Sequence, residues 1–156
     1  MGPLGYPLSA EIGVPAFDAE HRVIFRHLTE LLHALALGVS DDRLAEMLQG
    51  MLEHGQDHFA HEERTLRLAR YPSLEWHKRQ HDVSRRRIQS AVRGFKSGDR
   101  HALTDLTLFL GRWLPDHIAV ADRMAAAYLR NSERAKFRAP VGYRPPKAHA
   151  IAKRRI

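Results

Sequence analysis

A chain of 156 residues with 44% apolar and 28% charged side chains has the length and composition of one soluble globular domain with a sizeable core. It contains no cysteine, which excludes disulfides, thiolate metal sites, iron–sulfur clusters and cysteine nucleophiles, and fits a reducing cytoplasm. The net charge is +7, but residues 131–156 hold eight Lys/Arg and one Glu, leaving 17 basic and 17 acidic residues in 1–130. The basic balance therefore belongs to a tail, and a nucleic-acid-binding domain loses most of its support.

Residues 1–17 carry Pro3, Pro7, Pro15 and three glycines and read as an extended arm. The arm lacks the basic and apolar regions of a secretory signal, and Tyr6 stands where a myristoylation site needs a small hydroxyl residue. A helical pattern begins near Asp18, with Val23, Phe25, Leu28, Leu31, Leu32 and Leu35 at helical spacing, and Gly38 ends it. Ser40, Asp41 and Asp42 offer an N-cap and an acidic first turn to a second helix. Leu44, Met47, Leu48, Met51 and Leu52 carry that helix toward Leu68, and RYPS at 70–73 breaks it. A third helix is predicted over Leu74 to Phe95, stopped by KSGD, and a fourth over His101 to Arg130. Leu103, Leu106, Leu110, Trp113 and Leu114 form the inner face of the fourth.

No strand-period alternation is present, and no apolar run reaches the roughly 18 residues of a membrane span. The expected fold is all-α: an antiparallel up-down-up-down four-helix bundle over 18–130, with an N-terminal arm (1–17) and a disordered basic tail (131–156). Pro140, Pro145 and Pro146 punctuate that tail. Its Lys/Arg could dock on nucleic acid or anionic membrane, but a solvated tail is the favoured reading.

Residues four apart on a helix lie about 40° apart and share a face. His58 and Glu62 thus project together from the second helix, and His77 and His81 from the third. The first helix offers His21, and the fourth offers His117 and Asp122. In an antiparallel bundle all seven belong to one end. A lone HxxxH pair is usually a surface coincidence. Four helices supplying imidazoles and carboxylates at one depth point to a metal site, because such groups are costly in an apolar core unless paired or metal-bound. His27, His33, His54, His61, His101 and His149 read as ordinary histidines, with His54 the one placed to approach the site from outside.

The segments GVPAFDAEH (13–21), HFAHEE (58–63), YPSLEWHKRQH (71–81) and WLPDHIAVAD (113–122) resemble the hemerythrin family, specifically its single-domain bacterial members, the bacteriohemerythrins. The likeness spans roughly residues 10–130. It implies a non-haem di-iron centre, two Fe ions per chain joined by an oxo or hydroxo bridge. One iron would take His77, His81 and His117, the other His21 and His58, with Glu62 and Asp122 spanning both. On that count one iron is six-coordinate and the other keeps a position open for O₂.

The resemblance implies reversible O₂ binding for carriage, storage or delivery, with an oxygen-consuming enzyme or an electron donor as partner. A di-iron peroxide reductase and an oxygen or redox sensor are the alternatives. Ile24, Phe59, Trp113, Leu114 and Ile118, each within four residues of a ligand position, would line the O₂ pocket; they read equally well as bundle core. Such a lining supplies no acid to break the O–O bond, which favours release and a binding protein over an enzyme. The chain departs from the family pattern in lacking a Trp near the N-terminus and in carrying Thr29 where Asn is common. Pro115 predicts a kink in the fourth helix. His117 and Asp122 are five apart, about 140° on a regular helix, so a local widening would help both reach one site.

Overall fold

Residues 10–132 are described by a computed structural model, and among them every regular element is helical. In chain order these are α1 (Pro15–Ala36), α2 (Asp41–Leu68), α3 (Leu74–Lys96), α4 (His101–His117), a π-helical turn (Ile118–Asp122) and α5 (Arg123–Asn131). The last three run on without a break, so the bundle has four rods. Rod one packs on α2 and α4, and α3 packs on α2 and α4, giving the expected cyclic, antiparallel order. The expected arm and tail fall largely outside the described residues, in 1–9 and 133–156.

Pro15 opens α1, three residues earlier than the apolar pattern suggested. Proline is at home there, because the first-turn N–H groups have no partner within the helix. Asp18 ties the preceding chain to this end: its buried carboxylate accepts from the backbone of Ile12 at 2.8 Å and of Gly13 at 3.1 Å. Arg130, near the end of α5, donates to the Ile12 carbonyl, so the two ends of the described chain meet.

The helices stop where the chain must reverse. Gly38 (φ 68°) and Gly98 (φ 94°) take left-handed conformations after α1 and α3. After α2 the left-handed residue is Arg70 (φ 57°), and the Tyr71 amide closes the turn onto the Leu66 carbonyl at 2.9 Å. Pro72 follows and prevents the helix from resuming. Ser40 stands at the N-cap of α2, but its side chain makes no capping bond; the acidic Asp41 and Asp42 are what suit that end.

The core divides along the bundle. Leu28, Leu31, Leu44, Leu48, Leu103 and Leu106 fill the end near the α1–α2 and α3–α4 turns. Phe17, Phe25, Leu66, Ile118, Ala126 and Leu129 fill the other. A fully buried Leu or Ile contributes on the order of 1.5–3 kcal/mol, so these layers offset the cost of the polar groups held between them.

Candidate metal centre

The site lies at the end of the bundle where α2 finishes, α3 begins and the π-turn interrupts the fourth rod. His21, His58, Glu62, His77, His81, His117 and Asp122 all lie there, none more than 5% exposed. One donor atom from each of Glu62, His77, His81, His117 and Asp122 falls within 4.8 Å of all the others. The same holds for His21, His58, Glu62 and Asp122. Glu62 and Asp122 are common to both groups.

The atoms divide accordingly. Glu62 Oε2 lies 3.1 Å from His77 Nε2, 3.2 Å from His81 Nε2 and 3.8 Å from His58 Nε2. Asp122 turns Oδ1 toward His117 Nε2 at 2.9 Å and His77 Nε2 at 3.5 Å, and Oδ2 toward His21 Nε2 at 3.3 Å. The π-turn makes this possible. An extra residue in the turn between His117 and Asp122 rotates the carboxylate back onto the histidine's side, which a regular helix at five-residue spacing would not do.

Chemically, the cluster fits metal cations. His58 Nε2, Glu62 Oε1 and both Asp122 oxygens are buried and meet no hydrogen bond of acceptable angle. His81 Nε2 faces His117 Nε2 at 3.1 Å, and His81 donates its other ring proton to Glu63. Two imidazole lone pairs so placed repel unless a proton or a cation lies between them. Burial pushes the Glu62 carboxyl up, but His77 and His81 outweigh it and hold it well below the usual carboxylate range. Burial and the neighbouring Glu62 raise Asp122, and His117 and His21 bring it below its ordinary value. Two ionised carboxylates at full burial are costly without compensating positive charge. Five neutral nitrogens and two carboxylates form a donor set suited to iron.

Around this cluster stands a ring of groups that periodicity did not reveal. Glu63 Oε1 accepts from His81 Nδ1 at 2.9 Å and from Arg85 at 2.8 Å. Burial opposes ionisation of Glu63, but those two partners bring its pKa down to about 2. Across the bundle, Glu20 accepts from His58 Nδ1 at 2.9 Å and from His61 Nδ1 at 2.7 Å. Both carboxylates fix the ring tautomer that leaves Nε2 available to a metal. His61, read from sequence as ordinary, is thus a buried partner of Glu20 rather than a surface residue. His54 does not approach the centre. It donates to the Gly50 carbonyl at 2.8 Å and lies against His27, ring centroids 4.6 Å apart.

Aromatic rings complete the enclosure. Phe59 stacks on His81 with centroids 4.0 Å apart, and Trp113 stacks on His117 at 4.6 Å. Behind them lies a cavity of about 230 Å³. Ile24, Phe59, Trp113 and Leu114 line it, and Ile118 packs in the core with Phe17 and Phe25.

Comparison with known proteins agrees with this geometry. The model of the hemerythrin HHE cation binding domain matches residues 12–129. A bacteriohemerythrin of Stenotrophomonas maltophilia is 30% identical over 115 residues, covering 74% of each chain. One from Ralstonia nicotianae is 29% identical, covering 76% of this chain and 82% of its own. One from Methylococcus capsulatus is 26% identical, covering 74% and 89%. No solved structure matches significantly. With the bundle, the paired donor groups and this match over most of its length, the chain belongs to the hemerythrin family.

Proposed function

We propose that this protein binds O₂ reversibly at a non-haem di-iron centre, for carriage, storage or delivery of oxygen. His77, His81 and His117 would hold one iron and His21 and His58 the other, with Glu62 and Asp122 within reach of both. The observation that carries this reading is that both carboxylates belong to both donor groups, with three imidazoles on one side and two on the other. The side with fewer donors is where a small ligand has room. An iron pair held by these residues would supply two electrons to O₂ and take them back on its release.

The chain's own groups favour holding over reacting. Glu63 and Glu20 keep His81 and His58 in the metal-binding tautomer and orientation. Phe59, Trp113 and Leu114 wall the site from water. Among the described residues lining the cavity there is no carboxyl and no imidazole, the groups best suited to protonate and break an O–O bond. That supports a binding role over a peroxide-reducing one, with an electron donor needed only to restore a centre that has oxidised. No described helix is long and apolar enough to cross a membrane. An optical titration of the anaerobically reduced protein with O₂, followed by removal of O₂, tests the reading. A visible band that appears and then vanishes is expected; a band that stays after deoxygenation would contradict it.

A further inference from the structure

The 17 basic and 17 acidic residues of 1–130 are not evenly mixed over the bundle. α3 carries seven Lys/Arg against Glu75 and Asp82. Its Arg79, Arg86 and Arg93 recur every seventh residue, a step that drifts by only about 20°, so they form one exposed stripe about 20 Å long. Arg87 stands beside it, also exposed. Among the described residues none of these four joins an ion pair, whereas Arg85 is held by Glu63 and Asp82. The neighbouring rods expose acids instead: Asp42, Glu46, Glu53 and Asp57 on α2, Asp105 and Asp116 on α4. The positive strip is therefore one helix wide, about 10 Å. From it a line of rings leads inward. Arg87 lies over the Phe109 ring, 5.3 Å from its centroid. Phe109 is half-buried, and its ring lies 6.3 Å from that of Trp113 and 24° from parallel. Trp113 stacks on His117 at 4.6 Å and 14°. The three rings follow one another at four-residue steps along α4, which keeps them in line.

We propose that the outer face of α3 docks a small acidic protein carrying a one-electron redox centre, and that Phe109 and Trp113 are the path by which its electron reaches His117. Charge selects the partner. A nucleic-acid strand or an anionic membrane extends beyond a strip one helix wide and meets the acids of α2 and α4, whereas a compact acidic patch meets arginines alone. Val83, one turn before Arg87, is 38% exposed and adds an apolar spot among the guanidinium groups, the mixture protein interfaces favour. The rings select the chemistry. Electron transfer falls steeply with each gap crossed through space, and near-parallel aromatic rings shorten those gaps between the surface and a metal donor. The proposal rests on the iron reading above, in which His117 holds metal. Each encounter would oxidise the partner's centre by one electron and reduce the oxidised iron pair by one. Two encounters, with solvent protons balancing the charge, would return the pair to its reduced state.

The test uses the full-length, iron-loaded, oxidised protein and an acidic plant-type ferredoxin as the probe. Calorimetry with oxidised ferredoxin gives the Kd, and stopped-flow mixing with reduced ferredoxin gives the limiting rate at saturation. Ferredoxin should bind at one site per chain and more weakly as salt is added. Reversing the charge of Arg86 and Arg87 together (Arg86→Glu with Arg87→Glu) should weaken binding about tenfold or more. Phe109→Leu should leave the Kd unchanged and lower the limiting rate several-fold, with the visible spectrum of the iron-loaded protein as in the parent. No binding of ferredoxin, a Kd indifferent to the charge reversal, or a parental limiting rate in Phe109→Leu would overturn the proposal. So would tighter binding of a DNA duplex or of phosphatidylglycerol vesicles through the same arginines. Electron uptake that depends on Arg86, Arg87 and Phe109 in a protein that does not oxygenate reversibly would refute the oxygen reading alone. Reversible oxygenation with electron uptake indifferent to all three would refute this one alone.

Discussion

Glu63 Oε1 stands 2.9 Å from His81 Nδ1, on the side of the imidazole opposite the metal donors. The bond crosses from α2 to α3 and sets both the tautomer and the angle of a ligand ring. Glu63→Gln keeps the shape but removes the charge and the preference for the proton on Nδ1. Loss of such a supporting carboxylate commonly costs about 10–100-fold in metal affinity. Competition with a chelator should therefore strip iron from the variant at about 10–100-fold lower chelator concentration; identical stripping curves would show that the bond plays no part in holding metal.

The same carboxylate gives a pH signature. Its folded pKa, about 2, is depressed from the ordinary 4.5, so its contribution to stability is complete above 4.5 and is lost as the pH falls toward 2. Parent and Glu63→Gln should differ above pH 4.5, by about 1–2 kcal/mol after allowing for partial exposure, and converge as the pH approaches 2. Urea midpoints measured across that range check this. A gap that widens with acid would have the wrong sign.

The π-turn absorbs one residue more than a regular helix needs between His117 and Asp122. Val120 is 54% exposed within Ile118–Asp122, so deleting it removes the extra residue without opening the core. The rod should close into a regular helix, and melting of the metal-free protein should be unchanged or slightly raised. His117 and Asp122 would then stand four apart, about 40° from each other on one face, so iron loading should be retained. Loss of iron from the folded deletion variant would show that the widened turn does more than bring these two side chains to one side.

Leu114 is 4% exposed and lines the cavity one turn before His117. Leu114→Ala should lower stability by about 2–5 kcal/mol through the space it leaves, keep both irons, and shorten the lifetime of the oxygenated form by admitting water. By contrast, His77→Ala should compromise the centre itself. The decay of the oxygen-dependent band, with iron counted in parallel, distinguishes them; parental decay in Leu114→Ala at full loading would remove Leu114 from the pocket wall.

The basic tail is proposed to be dispensable. A chain ending at Ser132 keeps α5 and the Arg130 contact to Ile12, and should retain the parent's iron content and oxygenation. Loss of either on truncation would show that residues 133–156 support the bundle.

Much of this was legible in the chain because helical spacing is a local property. The i, i+4 pairs His58/Glu62 and His77/His81 announce shared faces, and the rods' antiparallel order brings them to one end. Even the irregular turn was legible, since a five-residue step from His117 to Asp122 does not suit a regular helix. What could not be read depends on the register between rods. Glu63 and Glu20 each sit next to a donor in sequence but about 100° away on the helix, so their partners are set by the neighbouring rod. The signal that could have found them was chemical: an acid beside each ligand segment, with Arg85 four residues past His81, and every metal-binding imidazole needing an acceptor for its second nitrogen.

The central claim is that Glu62 and Asp122 each serve two metals at once. It is tested most directly by loading the metal-free protein with Fe(II) under anaerobic conditions, removing unbound metal and counting iron per chain. Two irons per chain are expected, falling in both Glu62→Ala and Asp122→Ala. One tightly held metal per chain, with no second site filled at any excess, would contradict it.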